Sequence, residues 1–209
     1  MVIAHHLIWT AYGYWLPNDP RGSMSKTIAS DVIAELGELH YGRTTVQPSA
    51  REIQEFRDQS RSALKYSLID FRPSDFPIIA DALADAIREH NYTCYACAMM
   101  PDHVHILIRK HKHQAEDMLD TLQQTTRLRF RSVGLRSCDH PVWGGPGWKV
   151  FLDTPTDIRR TIQYIDGYPV KWGLPQQHWP LVKPYDGWPL HPGHSPNSPY
   201  AKAMRVHIE

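Results

Sequence analysis

A chain of 209 residues is long enough for one well-buried core and short for two independent domains, so a single domain with insertions is expected. Lys and Arg number 23 against 22 Asp and Glu, a net charge of +1; this excludes attraction of a polyanion by the global field and leaves only a local concentration of cations to do that work. Three cysteines cannot build a disulfide framework, and no window approaches the ~18 uninterrupted apolar residues of a membrane span.

The opening "MVIAHHLIWTAYGYWL" lacks a basic lead and is interrupted by His, Thr and Tyr. It reads as a strand from Ile3 to Trp15 rather than a signal peptide, and a reducing cytoplasm is the expected compartment. The turn cluster "LPNDPRGS", Leu16 to Ser23, ends it. Residues 24 to 70 are irregular, with helical pieces around Ile33 to Leu39 and Arg51 to Tyr66, and read as an insertion. "SDFPIIADALADAIREHNY" is a helix with Ser74 or Asp75 at its start and Ile79, Leu83 and Ile87 at four-residue spacing on one face.

"YTCYACAMM" (Tyr92 to Met100) and "HVHILI" (His103 to Ile108) are short strands separated by the turn pair Pro101-Asp102, an antiparallel hairpin. Cys94 and Cys97 have the CxxC spacing of zinc and redox sites, but residues three apart on a strand face opposite ways, so they read as small buried hydrophobes. Gln114 to Gly134 is a helix with a basic C-terminal half, followed by Gly-rich turns and a strand over Lys149 to Leu152. A last helix starts from Thr154 as N-cap with Pro155 in the first position, and is expected to end near Gly167 because Pro169 cannot continue it. Residues 175 to 209, with "HPGHSPNSPY" as the most turn-rich part, read as a loop-like tail following a domain over 1 to 174. Strand, helix, hairpin, helix, strand, helix suggests an α+β domain, ferredoxin-like, with helices mainly on one face of an antiparallel sheet.

Alternation places His103 and His105 on one face of their strand and Val104, Ile106 and Ile108 on the other, which is the core side. Two imidazoles whose Cα atoms lie about 6.6 Å apart along a strand can converge on a single ion. Two surface histidines with no ion between them is the competing reading. His111-Lys112-His113, among Arg109 and Lys110, reads as a solvated basic loop. On the last helix Ile158, Ile162 and Ile165 make the buried stripe, and a step of about 100° per residue puts Tyr164 off it, with its hydroxyl outward.

"MPDHVHILI" followed downstream by "YIDGYPVKWGL" resembles the single-tyrosine transposases of the HUH endonuclease superfamily, especially the REP-associated tyrosine transposases of bacteria. In that family a His-hydrophobic-His strand is followed by a helix reading Tyr-Ile-x-x-Asn-Pro-Val-Lys. "LIWTAYGYWLPNDPRG" and "VWGGPGWKVFLDT" extend the likeness over most of Leu7 to Leu174, with residues 24 to 70 poorly matched. The resemblance implies that His103 and His105 bind a divalent metal, Mg²⁺ or Mn²⁺, and that Tyr164 is the nucleophile forming a 5′-phosphotyrosine. The partner it implies is single-stranded or hairpin DNA, and relatives include monomers and homodimers. The family's third ligand, an Asn or Gln four residues after the tyrosine, is Tyr168 here. A phenol is a poor neutral ligand for a hard cation. Asp166 is nearby in sequence, yet lies about 200° from Tyr164 on an ideal helix.

For DNA contact the candidates are Arg109, Lys110, Lys112, Arg127, Arg129 and Arg131, joined by Arg160 beside the tyrosine; from Arg109 to Arg136 seven cations stand against three acids. Trp143, Trp148, Trp172 and Trp188 are either core residues or stacking platforms for unpaired bases. Three readings are therefore open: a metal-dependent nuclease and strand transferase, a catalytically impaired DNA-binding or regulatory protein derived from one, and a hydrolase using metal-bound water with Tyr164 incidental.

Overall fold

Period-two patterning on the central strands and 3.6-residue patterning on the helices assemble into one sheet with a helical layer on each side. The computed structural model describes residues 1–135 and 139–189. Arg136, Cys138 and the "HPGHSPNSPY" stretch lie outside the described residues. Chain order is β1 (Ala4–Ala11), α1 (Asp31–Ala34), α2 (Ala50–Ala63), a 3-10 turn (Pro73–Asp75) leading into α3 (Phe76–His90), β2 (Cys94–Met99), β3 (His103–Arg109), α4 (Ala115–Ser132), β4 (Trp143–Leu152) and α5 (Pro155–Lys171).

All four strands pair antiparallel in the order β2-β3-β1-β4. With α3 and α4 as the two crossovers, this is the ferredoxin-like α+β arrangement. Leu7, Trp9, Val104, Ile106 and Ile108 point to the α3/α4 side and form the larger core with Ile79, Leu83, Met118 and Leu122. The opposite face of the sheet carries α5, whose Ile158 and Ile165 pack with Ala96, Ala98 and Leu107 in a smaller core. Polar positions on that second face, between the small core and one end of the sheet, are where the histidines fall.

Boundaries differ from the sequence expectation in instructive places. β1 stops at Ala11 rather than Trp15, since Gly13 (φ 89°) and Trp15 (φ 56°) both take left-handed backbone. β4 starts at Trp143, well before Lys149, because its glycines permit positive φ at Gly145 and Gly147 while the strand still pairs with β1. α5 continues through Pro169 to Lys171. A proline so near the C-terminus removes one intrahelical bond, and the Pro169 carbonyl still accepts from the backbone N–H groups of Trp172 and Leu174 at 3.0 and 2.9 Å. Cys94 and Cys97 do not face opposite ways: an irregularity in the β2–β3 register between Cys94 and Ala96 brings both into the larger core, where they are free thiols. Burial pushes the Cys94 thiol up to about 12.

Residues 175–189 fold back along β2, the edge of the sheet. The Gln177 amide donates to the Met99 carbonyl at 2.7 Å and accepts from the Met99 N–H at 2.8 Å, Lys183 N–H bonds the Cys94 carbonyl, and Leu181 enters the core. Among the described residues no helix is long and apolar enough to cross a membrane.

Gly147 has φ 66°, and a Cβ there would sit 2.7 Å from the Ile8 carbonyl oxygen and 2.8 Å from a Leu119 methyl. Gly147→Ala should therefore cost at least about 2 kcal/mol, lowering Tm by about 4–8 °C for a domain of this size. An unchanged thermal midpoint would refute this account of the β1–β4 approach.

Candidate metal and tyrosine site

Register between β1 and β3 sets the site: Ile8 stands opposite His105 and Thr10 opposite His103, so His6 lies diagonal to His105 on the same face. His105 is buried and His103 has a side chain 12% exposed. Their Nε2 atoms are 3.1 Å apart. The outer nitrogens are each held from behind. His103 Nδ1 lies 2.6 Å from Asp102 Oδ1, and His105 Nδ1 lies 2.9 Å from His6 Nε2.

This arrangement constrains the tautomers. A carboxylate accepts, so His103 donates from Nδ1 and turns Nε2 inward. His6 can act as donor or acceptor toward His105. When it accepts, His105 Nδ1 donates and its Nε2 presents a lone pair. Burial lowers the His105 pKa well below the ordinary value, with the charges of His103 and His6 adding to the effect, and burial brings His6 down to about 4. Asp102 is held low in the opposite manner: burial alone would raise it, but the hydrogen bond and charge of His103, with Arg57, outweigh that. A neutral His105 beside an ionised Asp102 is the kind of protonation state a metal site requires.

Two neighbouring ligands of an octahedral ion with bonds of about 2.1 Å lie about 3 Å apart, which the 3.1 Å separation matches. The imidazole pair thus fits a divalent cation as two of its ligands. Among the described residues no group of three or more His, Cys, Asp or Glu gathers to complete the set.

α5 crosses this face and presents two phenols one turn apart. The Tyr164 ring centroid is 5.7 Å from that of His105 and 6.2 Å from that of His6; Tyr168 is 4.6 Å from His105 and 5.5 Å from His103. Tyr164 is 48% exposed, as its position off the apolar stripe requires. Continuation of the helix through Pro169 keeps Tyr168 on the same side. Tyr164's hydroxyl is pushed up to about 12, by burial first and then by the charge and hydrogen bond of Tyr168, with Arg43 acting in the other direction. Asp166 is elsewhere: it lines a separate cavity between α5, β2 and the returning segment, together with Tyr95, Gln177 and His178. It is not near the imidazoles.

His103, His105, Tyr164 and Tyr168 line a cavity of about 320 Å³ whose remaining wall includes Trp15, Arg21, Arg43, Gln47 and Trp148. Two solved structures are similar in fold. One is a REP-associated tyrosine transposase bound to a REP hairpin, at 11% identity, TM-score 0.44, with 82% of this chain and 68% of that one covered. The other is described as a putative transposase from Deinococcus radiodurans, at 15% identity, TM-score 0.37, with 78% and 87% covered. No protein-family model matches the sequence, and no curated protein matches it.

The basic candidates are dispersed. Arg109 sits at the far end of β3, about 20 Å along the strand from His103, where it faces Asp186 at 3.7 Å and lies over the Trp188 ring. Lys110 and Lys112 follow it at that end. α4 packs on the opposite face, so the sheet stands between the tyrosine and Arg127, Arg129 and Arg131; Arg127 donates to the Pro141 carbonyl and Arg129 pairs with Asp85 at 2.5 Å. The expected cluster beside the site is therefore not there. Arg160 is exposed on α5, one turn before Tyr164, outside the cavity lining. Nor are His111 and His113 a solvated loop: with His90 they ring Tyr92, whose hydroxyl is 2.8 Å from His113 Nδ1.

Trp143 is core, donating to the buried Thr126 hydroxyl at 2.6 Å, whereas Trp172 is 64% exposed on α5 beyond Tyr168. Missed altogether were His6 and the cavity wall from residues 15 to 47. His6 left a faint signal, since of the pair His5-His6 only one can share a face with the site. Arg21, Arg43 and Gln47 left none, as their placement depends on loop-to-loop backbone bonds.

Titration followed by NMR should find His105 and His6 still neutral at about pH 6.5, where an ordinary imidazole is half protonated. Midpoints at the ordinary value for either ring would contradict the buried, neutral pair.

Proposed function

We propose that this chain is a metal-dependent DNA endonuclease and strand transferase of the HUH transposase type, acting on single-stranded or hairpin DNA with Tyr164 as nucleophile. The observation that carries the reading is the facing pair of imidazole nitrogens, 3.1 Å apart, beneath a half-exposed phenol on a separate helix. His103 and His105 would hold a divalent cation, Mg²⁺ or Mn²⁺, which would supply Lewis acidity toward the phosphate.

The chain's own groups do the rest. Asp102 and His6 fix the imidazoles from behind. Tyr164 loses its proton and bonds to phosphorus, the bond from phosphorus to the 3′-oxygen breaks, and that oxygen takes up a proton to leave as a 3′-hydroxyl. Phosphodiester energy is kept in the 5′-phosphotyrosine, so a second 3′-hydroxyl can reverse the step without nucleotide hydrolysis. DNA contacts would come first from the cavity wall, then from Arg160; Arg109, Lys110, Lys112, Arg127, Arg129 and Arg131 would serve only DNA that extends beyond the site.

A specific observation favours a second reading, a DNA-binding or regulatory protein with impaired chemistry. Tyr168 stands where an amide would help hold the ion, and by its charge and hydrogen bond it raises the pKa of the nucleophile. Both effects oppose attack.

Incubating the protein with a hairpin oligonucleotide and Mn²⁺ should yield a covalent protein–DNA adduct that Tyr164→Phe abolishes. Retained hairpin binding with no adduct from wild type would leave the second reading standing; cleavage surviving in Tyr164→Phe would point to metal-bound water. His6→Ala should weaken Mn²⁺ affinity by about 10–100-fold, as losses of groups behind a ligand do, measurable by calorimetry without DNA. Tyr168→Asn should speed adduct formation, by less than about tenfold for each unit by which the phenol's pKa falls, since a less basic phenolate is also a weaker nucleophile. A slower Tyr168→Asn protein would show that the second phenol assists the reaction.

A further inference from the structure

Of the cations near the tyrosine, one has no evident structural employment. Arg21 is committed: Nε and a terminal nitrogen grip Asp19 at 2.8 and 2.6 Å, and its guanidinium carbon lies 4.1 Å from the Trp15 ring centroid. Its side chain is only 14% exposed. Arg160 is outside the cavity lining. Arg43 lines the cavity with His103, His105 and Tyr164, is exposed, and has no ion pair among the described residues.

Its position is not left to a free loop. The Gly42 N–H bonds the Ser23 carbonyl at 2.7 Å, the Ser23 N–H bonds the His40 carbonyl at 2.7 Å, and the Thr44 N–H reaches the Arg21 carbonyl at 3.3 Å. A Cβ on Gly22 would fall 1.8 Å from the Gly42 carbonyl oxygen, so the two backbones touch. Arg43 is thus clamped on both sides against the turn that carries Arg21.

We infer that Arg43 is a catalytic residue whose guanidinium contacts the scissile phosphate and neutralises its charge as Tyr164 attacks. This deepens the reading above and rests on it. A phosphodiester repels an incoming phenolate, and a guanidinium carried on an anchored backbone beside the reacting phosphate offsets that repulsion. The reaction remains the one written above: no further bond is made or broken.

The test compares a phosphodiester with a methylphosphonate, which lacks the negative charge, at the scissile position of a hairpin oligonucleotide, with adduct formation followed in single turnover. Arg43→Ala should slow the phosphodiester reaction by about 10²-fold or more, the cost of removing one oriented charge stabiliser. On the methylphosphonate the loss should shrink to less than about tenfold. Arg43→Lys should recover part of the rate. In a Tyr164→Phe background, Arg43→Ala should also lower the salt dependence of hairpin binding by about one counterion. Equal slowing on both substrates, or no slowing, overturns the role with the nuclease reading intact. Absence of any adduct from wild type overturns the reaction and the role together. Arg43→Ala should melt with wild type, which separates these outcomes from misfolding.

Discussion

The antiparallel register of β1 against β3 is the constraint on which everything else at the site depends. Side chains alternate strictly along a strand, so a slip of one residue would carry His103 and His105 into the apolar layer under α3 and α4 and turn Val104 and Ile106 toward α5. Burial of Leu7, Trp9, Val104, Ile106 and Ile108 in the larger core fixes that register, and its by-product is three imidazoles in a row on the other face. Hydrophobic packing on one side of the sheet thereby sets the chemistry on the other.

Desolvation then selects the protonation states. His105 and His6 are buried among themselves and beneath the phenols, so neither takes up a second proton at ordinary pH, and the Asp102 carboxylate closes the row. The result is a polarised line running from carboxylate to neutral rings. Above it burial and the neighbouring Tyr168, whose ring centroid is 5.2 Å away, hold the proton on Tyr164. Arg43 enters this balance from a loop that belongs to neither the sheet nor the helix.

Much of this was legible in the sequence, because the determinants are local and periodic. The shared face of His103 and His105 was readable from alternation, the outward direction of Tyr164 from its angle off Ile158 and Ile165, and the order of elements from caps and turn pairs such as Pro101-Asp102, while the roles proposed for the three residues came only from the resemblance. Misreadings came where one local rule met a tertiary compensation. Pro169 lies in the final turn, where only one hydrogen bond is at stake, so α5 runs on and carries Tyr168 to the site and Asp166 away from it. A register shift in β2 defeats the spacing argument for Cys94 and Cys97. Charge counting along Arg109 to Arg136 ignored that a strand end and the far face of a sheet are distant in space. Residues 24 to 70 seemed irregular because their order comes from contacts between loops, Gly22 against Gly42 above all, which no periodicity records.

Gln177 has a consequence for how copies of this chain meet. A sheet edge with open N–H and C=O groups invites a second strand to add to it, the usual route to continuous sheets across a dimer and to aggregation. Here a side-chain amide occupies both groups of Met99 and the backbone at Lys183 caps Cys94, so the β2 margin is already taken by the chain's own return. Self-association through that margin would first have to peel the segment away, which leaves β4, the strand at the opposite edge, as the other sheet margin through which protomers could pair.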